Sequence, residues 1–348
     1  MERDPDAIRR ACTRFVTAWS VPLPPDRDRY GEGGAVERLE ARIVELLGKD
    51  AAAYFPSGTM AQQIALRIHC ERTGRNTVAF HPQCHLEAHE EQGYVHLHGL
   101  RARLVGDRDR LITLEALERI AEPIGALLLE LPQRDLGGQL PPWDDLVAQV
   151  DWARGRGAAP HLDGARLWQC EPFYGKSFAE ISALFDTVYV SLYKDLGGLA
   201  GCLLAGPDDF VAEARVWRIR HGGRLASVEP YAVSGLRGLD EVLPRMPELV
   251  AKARELGEAL AQVEGIRVVP DPPQVAMLHV YVEGELERVR DAALGIAEET
   301  STLVAGGFAP TAVPTLQRAE LGIGTPTLEV PTTEIAELYA ELVRRAAA

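Results

Sequence analysis

The chain has 348 residues, enough for about two domains at ~150 residues each and for burying ~75% of the unfolded surface. Hydrophobic residues make up 46% and charged residues 25%, the balance of a globular protein. Acids outnumber bases 51 to 37, a net charge of −14, which argues against general binding to nucleic acid or anionic membranes, since both need a basic face.

No apolar run approaches the ~18 residues of a membrane span. The N-terminal MERDPDAIRR is charged and lacks the apolar core of a signal peptide. Five cysteines (Cys12, Cys70, Cys84, Cys170 and Cys202) include no CxxC pair. They predict no disulfide framework, and a cytoplasmic protein with reduced thiols. In chain order, the apolar spacing predicts a helix over Ala35–Leu47 stopped by Gly48, then a helix over Met60–Cys70. A short strand is expected at Asn76–Phe80, a helix at Leu111–Ile120, and a doubly buried strand at Ala126–Glu130. Pro142–Arg156 reads as a helix, and Ala158–Asp163, Thr187–Leu192 and Gly201–Ala205 read as strands. Strands separated by helices imply crossovers and a mostly parallel sheet. Leu236–Val263 is helix-rich, Ile266–Val269 and Val275–Val282 are strand candidates broken by Asp271-Pro272-Pro273, and Glu334–Ala346 is a terminal helix capped by Thr332 or Thr333. The expected layout is an N-terminal segment 1–29, an α/β domain 30–240, and a smaller α+β domain 241–348.

Ligands of open parallel sheets sit where strands end and helices begin. Three segments put reactive residues at such points. Phe55-Pro56-Ser57-Gly58-Thr59-Met60 precedes a helix, so its small residues, hydroxyls and free N–H groups form either a phosphate cup or a plain N-cap. In His161-Leu162-Asp163-Gly164-Ala165-Arg166 a strand-end carboxylate could hold a protonated ring nitrogen or simply cap the next turn. In Ser191-Leu192-Tyr193-Lys194-Asp195-Leu196-Gly197-Gly198 a lysine follows an apolar strand, the setting of a Schiff-base amine or of an exposed loop lysine. Together they supply what pyridoxal phosphate needs: an anion site, a partner for its pyridinium nitrogen and an amine for its aldehyde.

With these motifs, the chain resembles the threonine aldolase and aromatic amino acid β-eliminating lyase family of fold-type-I pyridoxal-phosphate enzymes. The resemblance lies in Tyr30-Gly31 and the helix from Ala35, PSGTMAQQIAL (Pro56–Leu66), HLDGARLW (His161–Trp168) and SLYKDLGGLAGCLLAG (Ser191–Gly206). It implies an aspartate-aminotransferase-like large domain with a mostly parallel sheet, and a smaller C-terminal α+β domain. It implies that Lys194 binds the cofactor covalently, Asp163 pairs with the ring nitrogen, and Arg166 lies beside the cofactor and the substrate carboxylate. Ser57, Gly58 and Thr59 would hold the phosphate, and His85, in CHLEAHE (Cys84–Glu90), would stack on the ring. Basic residues reaching a neighbouring subunit's phosphate would fall to Arg218, Arg220 or Arg224, with Arg224 taken as the cofactor ligand. A homodimer or homotetramer is implied. The histidines around His85 (His81, His89, His96, His98) match no standard zinc spacing, so no metal is expected, although His85 and His89 could share a helix face.

The departures concentrate at the substrate side. Where the family has Asn-Thr-His-Asn after the strand-end glutamate, this chain has Glu130-Leu131-Pro132-Gln133-Arg134, putting Gln133 at the histidine position. A glutamine can hydrogen-bond a hydroxyl but cannot take its proton. An N-terminal Arg-Ser-Asp-Thr segment is replaced by Thr13-Arg14-Phe15-Val16-Thr17, and the C-terminal carboxylate-binding arginine aligns with Ile323, near Arg318. The expected reaction is cleavage of a β-hydroxy-α-amino acid to glycine and an aldehyde, with water, the cofactor phosphate or Gln133 through water assisting. Alternatives are β-elimination or transamination at the same cofactor, or a cofactor-binding protein without catalysis. A Rossmann-type nucleotide binder is disfavoured by the missing G-x-G-x-x-G.

Overall fold

The computed structural model describes residues 28–347. The expectations on Cys12, on Thr13–Thr17 and on most of segment 1–29 lie outside them. Helix α1 (Gly34–Leu47) buries Val36, Leu39, Ile43 and Leu47 along one stripe and stops at Gly48, whose φ of 61° only glycine adopts cheaply. Strand β1 (Ala51–Phe55) leads into α2 (Gly58–Thr73), and β2 (Thr77–Phe80) follows. Two short helices, α3 (His85–Ala88) and α4 (Gly93–His98), precede the exposed edge strand β3 (Arg101–Leu104). The helix expected at Leu111–Ile120 is confined to α5 (Leu114–Glu118), because the Thr113 hydroxyl caps it by accepting from Ala116 N.

Strand β4 (Ala126–Glu130), helix α6 (Trp143–Gly155) and strand β5 (Ala159–Gly164) match the sequence reading within a residue or two. Short helices α7 (Glu171–Tyr174) and α8 (Phe178–Ala183) connect to β6 (Thr187–Ser191), and β7 (Cys202–Gly206) precedes α9 (Asp208–Arg220). These strands form a seven-stranded sheet in the order β1-β7-β6-β5-β4-β2-β3. Its pairings are parallel except that β7 runs antiparallel to both β1 and β6. β4, β5, β6 and β7 are buried along their whole length. This explains the mainly apolar runs of β4, β6 and β7, since a central strand covered by helices has no wet face.

Beyond β7 and α9 come α10 (Glu229–Glu241) and α11 (Met246–Ala261), then a second, antiparallel sheet. Its strands β8 (Ile266–Val269), β9 (Met277–Glu283), β10 (Ala309–Pro310) and β11 (Leu316–Gly322) lie in the order β10-β11-β9-β8. Helix α12 (Leu286–Thr300) leaves β9, and α13 (Thr332–Ala347) closes the described chain. Thr332 is already helical, so the expected cap lies inside the helix, and its hydroxyl instead accepts from Lys252 Nζ at 2.6 Å. One apolar cluster runs from Leu39 and Leu47 through Leu127, Leu162 and Val190 to Leu256, Val280 and Leu342, joining the two sheets. Full burial of each such side chain contributes ~1.5–3 kcal/mol. No helix among the described residues is long and apolar enough to cross a membrane.

Candidate active site

The end of β5, strand β6 with the loop that follows it, and the N-terminus of α2 converge on a cleft of about 280 Å³. Ser57, Gly58, Thr59, His85, Asp163 and Lys194 all line it. Sheet pairing makes this possible: Phe55 and Cys202 are partners across β1 and β7, and Asp163 and Tyr189 across β5 and β6. The turn after β1, the end of β5 and the loop after β6 are thereby held at neighbouring points.

Ser57 occupies the N-cap position of α2 in an extended conformation, yet its hydroxyl makes no capping hydrogen bond. A hydroxyl left uncommitted beside the free N–H groups of a 16-residue helix is the donor set a phosphate requires. Gly58 is needed for space, because a Cβ there would run into the Tyr189 hydroxyl. Gly201 on the opposite wall has φ +91°, and a Cβ there would strike the Tyr54 ring. Gln62, one turn into α2, lines the cleft with its Nε2 buried and unpartnered, while its Oε1 lies 2.6 Å from His161 Nε2.

Asp163 is buried, and its Oδ1 accepts from Ala165 N at 3.0 Å. Burial pushes its carboxyl above the usual range, while Lys194, the Ala165 N–H and His85 pull the other way. A protonated ring nitrogen would turn the balance towards the carboxylate, so the buried acid suits pyridoxal phosphate. Glu130, its register partner at the end of β4, is also buried and held well above 4.5, chiefly by burial and then by the Asp163 charge. Lys194 lies in the loop between β6 and β7, and its charge is felt at Asp163, Glu130 and Asp195. His85 presents Nδ1 to Glu90 Oε1 at 2.9 Å, and Glu90 also accepts from Gln63 Nε2 at 3.1 Å. The cradle, the buried acid and the amine therefore fit the cofactor.

Three expected site residues stand apart from the cleft lining. Gln133 is buried and donates Nε2 to Glu130 Oε2 at 3.0 Å and to the Gln83 carbonyl at 3.3 Å. Arg166 faces Asp195, with Nε 4.0 Å from Oδ1, and Glu320, with Nη2 3.4 Å from Oε1. Arg224 stacks over Tyr30 at 5.0 Å and pairs with Glu32 at 3.7 Å. Of the other basic candidates, Arg218 is buried and donates to the Tyr54 carbonyl at 2.6 Å, and Arg220 lies over Trp217 at 4.3 Å. His85 and His89 keep their ring centroids 5.1 Å apart but take different partners: His85 turns to Glu90 and His89 to Asp135 Oδ2 at 2.9 Å, while His81 turns to the carbonyls of Asp107 and Arg110. Gln62, Glu90, Tyr189 and Tyr193 also line the cleft and escaped the sequence reading. For Glu90 a signal existed, since it closes the CHLEAHE segment that carries His85.

Comparison with known proteins agrees with this geometry. A family model described as Beta-eliminating lyase matches residues 10–284. The low-specificity L-threonine aldolase 1 of Arabidopsis thaliana is 29% identical over 292 residues, covering 81% of this chain and 79% of its own. The low specificity L-threonine aldolase of Escherichia coli K12 is 29% identical over 263 residues, covering 74% of this chain and 78% of its own. A Listeria monocytogenes structure assigned provisionally as an L-allo-threonine aldolase superposes with TM-score 0.90 at 38% identity, covering 96% of this chain and 93% of that one. A Leishmania major threonine aldolase, at 18% identity and TM-score 0.74, shares the fold. The chain belongs to the β-eliminating lyase family and is a lyase that depends on pyridoxal phosphate.

Proposed function

We propose that this lyase cleaves the Cα–Cβ bond of β-hydroxy-α-amino acids, giving glycine and an aldehyde, as the names of its relatives suggest. The observation that carries the reading is the convergence of Lys194, Asp163, His85 and the Ser57–Thr59 turn on one cleft. Pyridoxal phosphate, when bound, supplies the electron-withdrawing ring that takes up the pair left on Cα.

The remaining work falls to this chain's side chains. Lys194 would tether the cofactor through Nζ, Asp163 would hold the proton on its ring nitrogen, and Ser57, Gly58 and Thr59 would donate to its phosphate. Arg166 meets the substrate's α-carboxylate. His85, which lines the cleft, would lie against the ring. With Nδ1–H donated to Glu90, its Nε2 is the nitrogen that accepts the substrate hydroxyl's proton as the carbon–carbon bond breaks. Gln133 cannot take that proton, and its amide nitrogen is already given to Glu130 and Gln83.

The same reading takes the protein to be a cytoplasmic homodimer or homotetramer, with Arg224 reaching a neighbouring subunit's phosphate. Supporting it are the exposed Leu97, Val216, Ile219 and Leu225 and four buried, unpaired thiols. Sedimentation equilibrium tests the assembly; a monomer rejects that part.

For the activity, the purified protein should show a visible cofactor band that borohydride fixes in place and that Lys194→Ala lacks. Threonine, allo-threonine or phenylserine should release an aldehyde. If all three are inert while the protein is yellow, the reaction assignment fails. Pyruvate and ammonia from serine would redirect it to β-elimination.

A further inference from the structure

The arginine read as the partner of the substrate's carboxylate is already occupied. Glu320, on β11, reaches from the small sheet to two guanidiniums of the large domain. Its carboxylate lies 2.9 Å from Arg134 Nε through Oε2 and 3.4 Å from Arg166 Nη2 through Oε1. On β9, its register partner His279 brings Nε2 to 3.8 Å. Burial works against the charge, but His279, Arg134 and Arg166 outweigh it and hold the carboxyl at about 2. Glu320 is thus an anion throughout the working range.

A carboxylate grips a guanidinium in two ways, side-on through Nε and one Nη, or end-on through both Nη. The side-on edge of Arg166 is Nε and Nη2, of which Nη2 points to Glu320 and Nε to Asp195. The end-on edge again uses Nη2. Nη2 carries two N–H bonds and Glu320 takes one, so a carboxylate gripping the edge that shares this hydrogen displaces Glu320, and one on the other edge meets its charge close by. The position where the family's second cation was expected offers no help, since Ile323 is buried and apolar. Arg134 offers Glu320 a second, closer partner, and its guanidinium also touches Asp135 at 3.8 Å and His89 at 3.4 Å.

We propose that Glu320 is a specificity-determining internal competitor: it sits on Arg166 in place of a substrate carboxylate, retreats onto Arg134 when one binds, and so sets the affinity for α-carboxylate ligands. This rests on Arg166 being the carboxylate's partner. Two variants then act in opposite directions. Glu320→Gln frees Arg166 and tightens carboxylate binding. Arg134→Met removes the retreat, presses Glu320 onto Arg166, and weakens it.

The test is calorimetric titration of the cofactor-loaded protein with glycine and with glycinamide, which has no carboxylate, alongside KM for L-threonine. Making or breaking one charge-assisted hydrogen bond is expected to shift the glycine Kd about tenfold, downward in Glu320→Gln and upward in Arg134→Met. Glycinamide should move less than about twofold in either. A glycine Kd that stays put in Glu320→Gln, shifts in the same direction in both variants, or is matched by glycinamide overturns the proposal. If Glu320→Gln does not fold, the comparison of glycine with glycinamide in Arg134→Met decides it alone. Absent aldehyde release from threonine with the glycine split intact rejects the reaction and leaves Glu320's role standing; normal cleavage without the split does the reverse.

Discussion

Glu130 shows how one side chain can record the demands of a cofactor site. Its carboxyl is buried at a strand end opposite Asp163, takes a hydrogen bond from Gln133, and accepts from Arg134 N at 3.1 Å. The folded protein keeps a proton here over a range in which the unfolded chain, near the usual 4.5, has lost it. With more protons on the native state, stability falls as pH rises above 4.5. The cofactor-free protein should therefore melt at lower temperature as pH is raised from ~5 to ~8. Glu130→Gln should flatten that decline without abolishing it, because Asp163 is raised in the same sense. Melting curves across this range provide the check, and an equally steep decline in the variant contradicts it. Residue by residue, part of the cleft lining was legible because Ser57, Asp163 and Lys194 each sit at a strand end inside a short motif. Gln62 and Tyr189 were not, since their place in the cleft depends on pairings between distant strands. Glu320 was hidden for a further reason: on sequence it is one more acid in a half-exposed strand, and only its position opposite two arginines gives it meaning.

At the scale of elements, strands were readable where burial is complete. Ala126–Glu130 and Thr187–Ser191 are continuous apolar runs because both faces are covered. Strand β1 was missed because AAAYF carries little β-propensity of its own and is held in place by β7. The edge strand β3, RARL, shows no apolar pattern because it is largely exposed. Helix α12 went unread, its buried stripe reduced to Val289, Ala292 and Ile296. The loop from β6 to β7 contributes Tyr193, Lys194, Leu199, Ala200 and Gly201 to the cleft, and Gly201 has φ +91°. Gly201→Ala combines an unfavourable backbone angle with a clash against Tyr54, and should cost at least ~2 kcal/mol. Urea denaturation measures this, and it should come with weaker cofactor retention, since Gly201 lines the cleft. Unchanged stability would mean that the loop adjusts at no cost.

For the molecule as a whole, the mostly parallel sheet followed by a smaller α+β part was foreseeable from the order of elements, while the way the two join was not. The principal apolar cluster includes Leu162 and Val190 of one sheet and Val280 and Leu278 of the other, and Glu320 adds ion pairs with Arg134 and Arg166 across the same join. A core shared in this way couples the unfolding of the two parts. Far-ultraviolet circular dichroism and tryptophan fluorescence should give coincident urea transitions, and well-separated midpoints would show that the sheets melt independently.

The antiparallel placement of β7 has a consequence for biosynthesis. Because Phe55 finds its strand neighbour, among the described residues, only in Cys202, the Ser57–Thr59 turn and Lys194 come into register late. A ribosome that has not yet released Cys202–Gly206 carries a nascent polypeptide with every motif up to Lys194 and no assembled site. Coenzyme capture must then follow translation of this stretch, and truncated products ending before it should emerge colourless.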